Sequence, residues 1–294
     1  MKNQRLDSSS SVREFASHGW RLALAGTMLS LPLATPVFAN AWVQAPGETL
    51  AILKFSHTDD ATVFDESSER TRFPDRGESR QDQLNLYIEH GLTSDLTFVG
   101  NFYYNKVRYD SDTFSGSNSG FGNQEIGLRY KLNPPSEDQQ WVGAVQALIS
   151  IPTYDEDDTP ALGVGGNDFE MRYSVGRGFM LGSRSAYVDA GAAWRLRSGD
   201  AADEIRVDIT SGVALTPKWM LIGELNVIEG LGNGSDWDRM SFIDSTDYDL
   251  TKLSLSALYS MSPEVQFQAG YTEPVLGRNT GAAGGPFIAA WWRF

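Results

Sequence analysis

Residues 285–294 carry Ile288, Ala290, Trp292 and Phe294 at every second position, with Arg293 on the opposite parity. A period of two is a strand signature, because successive side chains of an extended backbone point to opposite faces. One face of this segment is apolar and suited to lipid, while the other carries a charge. An apolar-out, polar-in strand belongs in the wall of a membrane barrel, provided the rest of the chain repeats it.

The chain repeats it about twelve times. Residues 50–57 place Ala51, Leu53 and Phe55 on one face, and 83–90 set Leu84, Leu86 and Ile88 against Gln83, Asn85, Tyr87 and Glu89. Further strands are predicted over 96–104, 125–132, 141–151, 169–176, 187–196, 205–215, 219–227, 250–259, 265–271 and 285–294. Short turns at 91–95, 133–139, 179–185, 216–218 and 260–263 alternate with longer loops at 58–78, 110–123, 154–167, 198–204, 230–247 and 273–284. Long loops outside and short turns in the periplasm are the usual asymmetry of such barrels. An even strand number brings both ends of the barrel to the periplasmic side. The expected fold is therefore all-β, a transmembrane antiparallel up-and-down barrel of about twelve strands. A soluble β-sandwich would bury its apolar faces instead.

Composition agrees with that reading. The chain has 29 glycines, 12% aromatic residues and no cysteine, and residues 40–294 lack an apolar run long enough for a spanning helix. Residues 1–39 read as a cleaved signal peptide. Lys2, Arg5 and Arg13 form its basic start, 22–34 its apolar stretch, and either Val37-Phe38-Ala39 or Ala39-Asn40-Ala41 a small-residue cleavage site. Its removal takes away four basic and two acidic residues, moving the formal net charge from −14 to −16. An exported acidic chain has no electrostatic basis for binding nucleic acid. Residues 40–294 are expected to form one barrel domain in the bacterial outer membrane, surrounded by lipid and lipopolysaccharide.

The inward parity collects charges of both signs: Lys54, Glu89, Glu125, Arg129, Lys131, Glu170, Arg172, Asp189, Arg195, Arg197, Arg206, Asp208, Glu224, Lys252 and Arg293. Glu170, Arg172, Asp189 and Arg195 are expected in one belt, with Arg206 and Asp208 beside it. Such a belt either lines a selective pore or fills a narrow lumen with ion pairs. Tyr87, Tyr103, Tyr187 and Trp291 are inward aromatic candidates. The outer loops are acidic, most densely at Asp155, Glu156, Asp157 and Asp158, but none has the spacing of a calcium loop and no metal site is expected. Cofactor motifs are absent. The Gly-rich 163–167 stretch opens a strand rather than a helix, so it lacks the helix N-terminus an anion site would use. His57 and His90 fall at opposite ends of their strands, and Gly-x-Ser-x-Gly and His-Glu-x-x-His are missing, so no enzyme is expected.

Two family resemblances attach to particular residues. The start at 41–48, Ala-Trp-Val-Gln-Ala-Pro-Gly-Glu, followed by a strand and an acidic loop, resembles the XagA-type proteins of proteobacterial outer membranes. Ile149-Ser-Ile-Pro152-Thr153, followed by an acidic stretch and a Gly-rich approach to the next strand, is similar to the barrel family named for the meta-pathway of phenol degradation. Gly91-Leu-Thr-Ser-Asp-Leu-Thr97 is shared widely among such barrels. The resemblance implies a small monomeric outer-membrane barrel; the first type is associated with exopolysaccharide and biofilm, the second with transport of aromatic compounds. The ending Trp292-Arg293-Phe294 resembles the signal read by the barrel-assembly machinery. The expected function is passage of a small solute through a narrow, charge-lined lumen. The alternative is a non-transporting structural or surface-interaction barrel, accessory to exopolysaccharide secretion, whose partner is a polysaccharide.

Overall fold

The computed structural model describes residues 40–133, 140–155, 158–163, 165–235 and 244–294, with side chains described from 246 in the last span. The expected signal peptide at 1–39, Glu156 and Asp157 lie outside the described residues.

Fifteen strands follow in order: β1 Thr49–Asp60, β2 Thr62–Phe64, β3 Arg70–Arg72, β4 Glu78–Gly91, β5 Leu96–Asp110, β6 Ser115–Phe121, β7 Asn123–Asn133, β8 Val142–Pro152, β9 Asp168–Leu181, β10 Arg184–Arg197, β11 Glu204–Ala214, β12 Trp219–Gly230, β13 Asp244–Ser260, β14 Val265–Gly281 and β15 Gly285–Arg293. Twelve of them, β1, β4, β5 and β7 to β15, pair antiparallel with their neighbours around a closed barrel. Closure comes from β1 on β15, where Leu50 pairs with Arg293 and Phe55 with Ile288. Closure removes the sheet edges that lipid could not hydrogen-bond. The two ends of the barrel meet directly, since Thr49 and Phe294 exchange N–H···O bonds of 2.7 and 3.0 Å.

The outward face is the apolar one. Leu53, Phe55, Leu84, Leu128, Ile149, Leu253, Leu255 and Ile288 are all exposed, an arrangement favourable only where the surroundings are themselves apolar. Aromatic residues gather near the short-turn end, where the Trp219 and Tyr259 rings lie 4.9 Å apart and Trp292 and Phe294 are exposed. This is the end that faces the periplasm in barrels of this kind. In the β4–β5 turn there, the Lys131 ammonium donates to the Asp95 carboxylate at 2.9 Å and, with the Ser94 hydroxyl, holds it below the usual carboxylate range.

Three outer segments differ from the sequence expectation. The 58–78 stretch contains the β2–β3 hairpin, which pairs with the top of β14 and is tied there by Arg70 to Glu273 at 3.0 Å. The Ser/Gly-rich 110–123 stretch contains β6, which folds back on β5 from Asp110 to Tyr104. Its backbone satisfies the outer half of β5, whereas β7 pairs with β5 only over Leu96–Asn101. A composition typical of loops is no bar to a strand whose hydrogen bonds come from the backbone. Finally, β14 runs on to Gly281, well past the 271 expected from apolar alternation.

Candidate functional site

The inward face holds two polar networks, two neighbouring cavities and an apolar cluster. In the central network four arginines meet five carboxylates. Arg195 reaches Glu125 at 2.7 Å, Glu170 at 2.8 Å and Asp168 at 3.3 Å. Arg197 joins Asp168 at 3.3 Å and Glu204 at 2.6 Å, and Arg206 joins Glu204 at 2.6 Å and Glu170 at 3.8 Å. Arg172 completes it, pairing with Glu170 at 3.0 Å and with Asp208, which also accepts from the Asn226 amide at 2.7 Å. Alternation on β9, β10 and β11 explains the gathering: 168, 170 and 172 share one parity, as do 195 and 197, and 204, 206 and 208.

Asp168 and Glu204 are members that the sequence reading missed, the first falling just before its predicted strand and the second in the adjoining loop. Extending the parity of Glu170 and Arg206 outward by one step would have found both.

Asp189 does not join this belt. It shares the inward parity of Arg195 on β10 but lies nearer the β9–β10 turn, in the periplasmic half of the lumen. There it is 1% exposed and accepts the backbone N–H groups of Asn40 at 3.2 Å and Ala41 at 2.9 Å. The chain before β1 has turned into the barrel, which alternation of the strands could not reveal. Arg129, fully buried, binds the same segment: it donates to the Trp42 carbonyl at 3.1 Å and to the Asn40 side chain at 3.3 Å, and is neutralised by Glu89 at 2.6 Å. The Gln44 amide group donates to Glu89 at 2.5 Å and its backbone N–H to Thr97 at 2.9 Å.

Trp42 packs over Gly176, where any Cβ would run into the indole ring. Gly176→Val is expected to expel Trp42 while leaving every charge in place, and to raise single-channel conductance. Unchanged conductance would mean that the indole does not obstruct the lumen.

The other half of the periplasmic end is closed by side chains. Leu50, Ile52, Tyr187, Met220, Ile222, Leu258, Ala289 and Trp291 form one buried cluster on the inward face, with Tyr87 and Ala214 against it. Tyr187 and Trp291 are thus packing residues of a seal, whereas Tyr87 and Tyr103 border the open space above.

That open space is a cavity of about 310 Å³, lined by Glu125, Glu170, Arg172, Arg195, Arg206 and Asp208 of the central network together with Asn40, Lys54, Asn85, Asn101, Glu224 and Gln268. Towards the outer mouth lies a second cavity of about 280 Å³, lined by Ser56, Thr58, Gln81, Gln83, Lys252 and Thr272. Lys54 and Phe287 line both, the Lys54 ammonium resting 4.1 Å from the centre of the Phe287 ring. Among the described residues, Lys54 and Glu224 make no ion pair within 4 Å, unlike the arginines around them. On the β5 side the described part of the third long loop bends inward. Leu162 is buried and its carbonyl accepts from the Asn105 amide at 3.1 Å. Asp155 and Asp158 stay at the outer rim.

The remaining candidates lie elsewhere. Lys131 faces the periplasmic turn, and Arg293 lies at the barrel's end, its N–H donating to the Glu264 carbonyl at 2.8 Å. His57 pairs with Asp82 at 2.7 Å near the outer end of β1, and His90 with the Thr49 hydroxyl at 2.8 Å at the opposite end. No cluster of three His, Asp or Glu poised for a metal occurs among the described residues.

Residues 83–294 match the model of the family named for the MetA-pathway of phenol degradation. The chain belongs to that family. It is the second of the two families that the sequence resembles; the XagA likeness rests largely on residues 41–48, which precede the matched span. Among solved structures, the family member described here is similar to an outer membrane channel from Pseudomonas putida F1, with 17% identity, a TM-score of 0.61, and coverage of 86% of this chain and 98% of that one. The KdgM porin aligns at 7% identity and a TM-score of 0.48 over 83% of this chain and 99% of its own. The translocator domain of the autotransporter NalP from Neisseria meningitidis aligns at 10% and 0.45, over 85% and 90%. No curated protein matches significantly. At 17% identity the likeness to the Pseudomonas putida channel is one of fold, that of an outer-membrane barrel.

Proposed function

We propose that this barrel is an outer-membrane channel for a small polar or charged solute, its periplasmic side narrowed by its own N-terminal segment. The observation that carries the reading is the pair of polar cavities on either side of Lys54 and Phe287, one toward the outer mouth and the other bordered by Asn40. Cavities near 300 Å³ suit a small metabolite rather than a polymer. The structural likeness to a protein described as an outer membrane channel supports the same function.

Selectivity in this reading comes from the charges the networks leave over. An arginine already matched by carboxylates presents little net field to a passing ion, whereas Lys54 and Glu224 act on each other only from beyond ion-pair distance. Lys54→Met is therefore expected to shift the reversal potential in a salt gradient towards cations, and Glu224→Gln towards anions. The measurement is a planar-bilayer recording of the refolded barrel. Reversal potentials identical to wild type in both variants would remove Lys54 and Glu224 from the solute path, and a correctly folded barrel without discrete openings would count against a channel.

A further inference from the structure

We propose that the bond between Ala39 and Asn40 is the processing site of this chain, and that the α-ammonium group created on Asn40 pairs with Asp189, fastening the N-terminal segment inside the lumen. The inference rests on the export signal and on the described contacts, and not on any transport activity.

Asp189 poses an unsolved problem of charge. Its carboxylate is 1% exposed, and its oxygens accept one N–H each, from Asn40 and Ala41. A carboxylate withdrawn from water needs a positive partner as well as hydrogen bonds. Among the described residues none lies within ion-pair distance. Arg129 is taken by Glu89, and Arg172 by Glu170 and Asp208. Two backbone amides supply dipoles only. If Asn40 is the first residue, the nitrogen already 3.2 Å from Asp189 carries a full charge, and the contact becomes a charge-assisted bond.

The sequence offers the cut independently. Val37 and Ala39 occupy the third and first positions before Asn40, as signal peptidases require. The second site suggested by sequence, after Ala41, would discard both donors and leave Asp189 buried with neither. The cleavage is a hydrolysis by a signal-peptide-cleaving endopeptidase. Water adds across the Ala39–Asn40 amide, its hydroxyl completing the Ala39 carboxyl group; the released amine takes a proton to become ammonium. An uncleaved chain presents an amide at this position, so the full fastening is available only after processing.

The test uses full-length precursor exported to the outer membrane and extracted as the folded, heat-modifiable barrel. Intact mass should give Asn40 as the first residue. Native reductive dimethylation with formaldehyde and borohydride, read by peptide mass spectrometry, should then find the wild-type α-amino group modified about tenfold or more slowly than in Asp189→Asn. A second variant, with one alanine inserted between Ala39 and Asn40 and cleavage after the inserted residue's predecessor, moves the amine off Asp189 without touching the barrel and should lose protection equally. The urea-unfolded wild type sets the unprotected rate. A first residue of Trp42, or equal native rates in wild type and the folded variants, would overturn the proposal. Silence in bilayer recordings would leave this result unaffected, so the two readings fail separately.

Discussion

Refolding the barrel from a chain that begins at Gly47 is expected to raise single-channel conductance severalfold over the chain that begins at Asn40. The missing residues are those that Asp189, Arg129, Thr97 and Glu89 hold across the periplasmic half of the lumen. Removing the whole segment opens these groups to water, which then solvates Asp189, Arg129, Thr97 and Glu89, so the barrel should survive the loss. The apolar cluster around Trp291 remains and sets the ceiling on the gain. Conductance is read at fixed voltage in molar salt, with folding checked by heat modifiability. If the truncated barrel conducts no better than the full one, the apolar cluster closes the lumen by itself and the N-terminal segment is not the plug.

Arg195→Met should destabilise the barrel by about 3–5 kcal/mol, the usual cost of removing one partner from a buried ion pair. Arg195 is buried and holds Glu125, Asp168 and Glu170 together, so the variant leaves carboxylates facing one another with one fewer cation. Its effect should exceed that of Lys54→Met, whose ammonium neutralises no carboxylate directly. Adding Glu170→Gln to Arg195→Met should recover part of the loss, because residues in one network do not act additively. Urea titration in detergent, followed by tryptophan fluorescence, gives the numbers. A loss below about 1 kcal/mol, the level of a solvated surface pair, would show that water penetrates to Arg195 and screens the network.

Neither result depends on the solute, but both depend on features of unequal visibility in the sequence. The parity of Glu170, Arg172, Arg195, Arg206 and Asp208 announces their common face, because a strand's period of two is a local property. Their pairing also follows once neighbouring strands are set side by side. Asp168 and Glu204 were missed only because a strand boundary was drawn one residue short, where apolar alternation fades although the backbone ladder continues. β6 was missed for a related reason: its Ser/Gly composition carries no apolar alternation, and its register comes from β5.

Asp189 shows the deeper limit. Its parity marks it as inward, but its partners are the backbone of Asn40 and Ala41, 149 and 148 residues away. A segment without alternation gives no sign of where it will lie. Only a closed barrel of this circumference offers a space that the segment fits, with Gly176 making room for Trp42.

The sequence by itself determined the twelve strands of the barrel wall, their inward and outward faces, the antiparallel order and the lipid belt, all of which follow from local periodicity and the need to satisfy every backbone group in a bilayer. The tertiary structure alone decided which inward charges neutralise one another, which aromatic residues pack in the periplasmic half of the lumen, and that residues 40–44 lie inside the barrel. Those outcomes depend on barrel circumference and on distances across the lumen, which no stretch of sequence encodes locally.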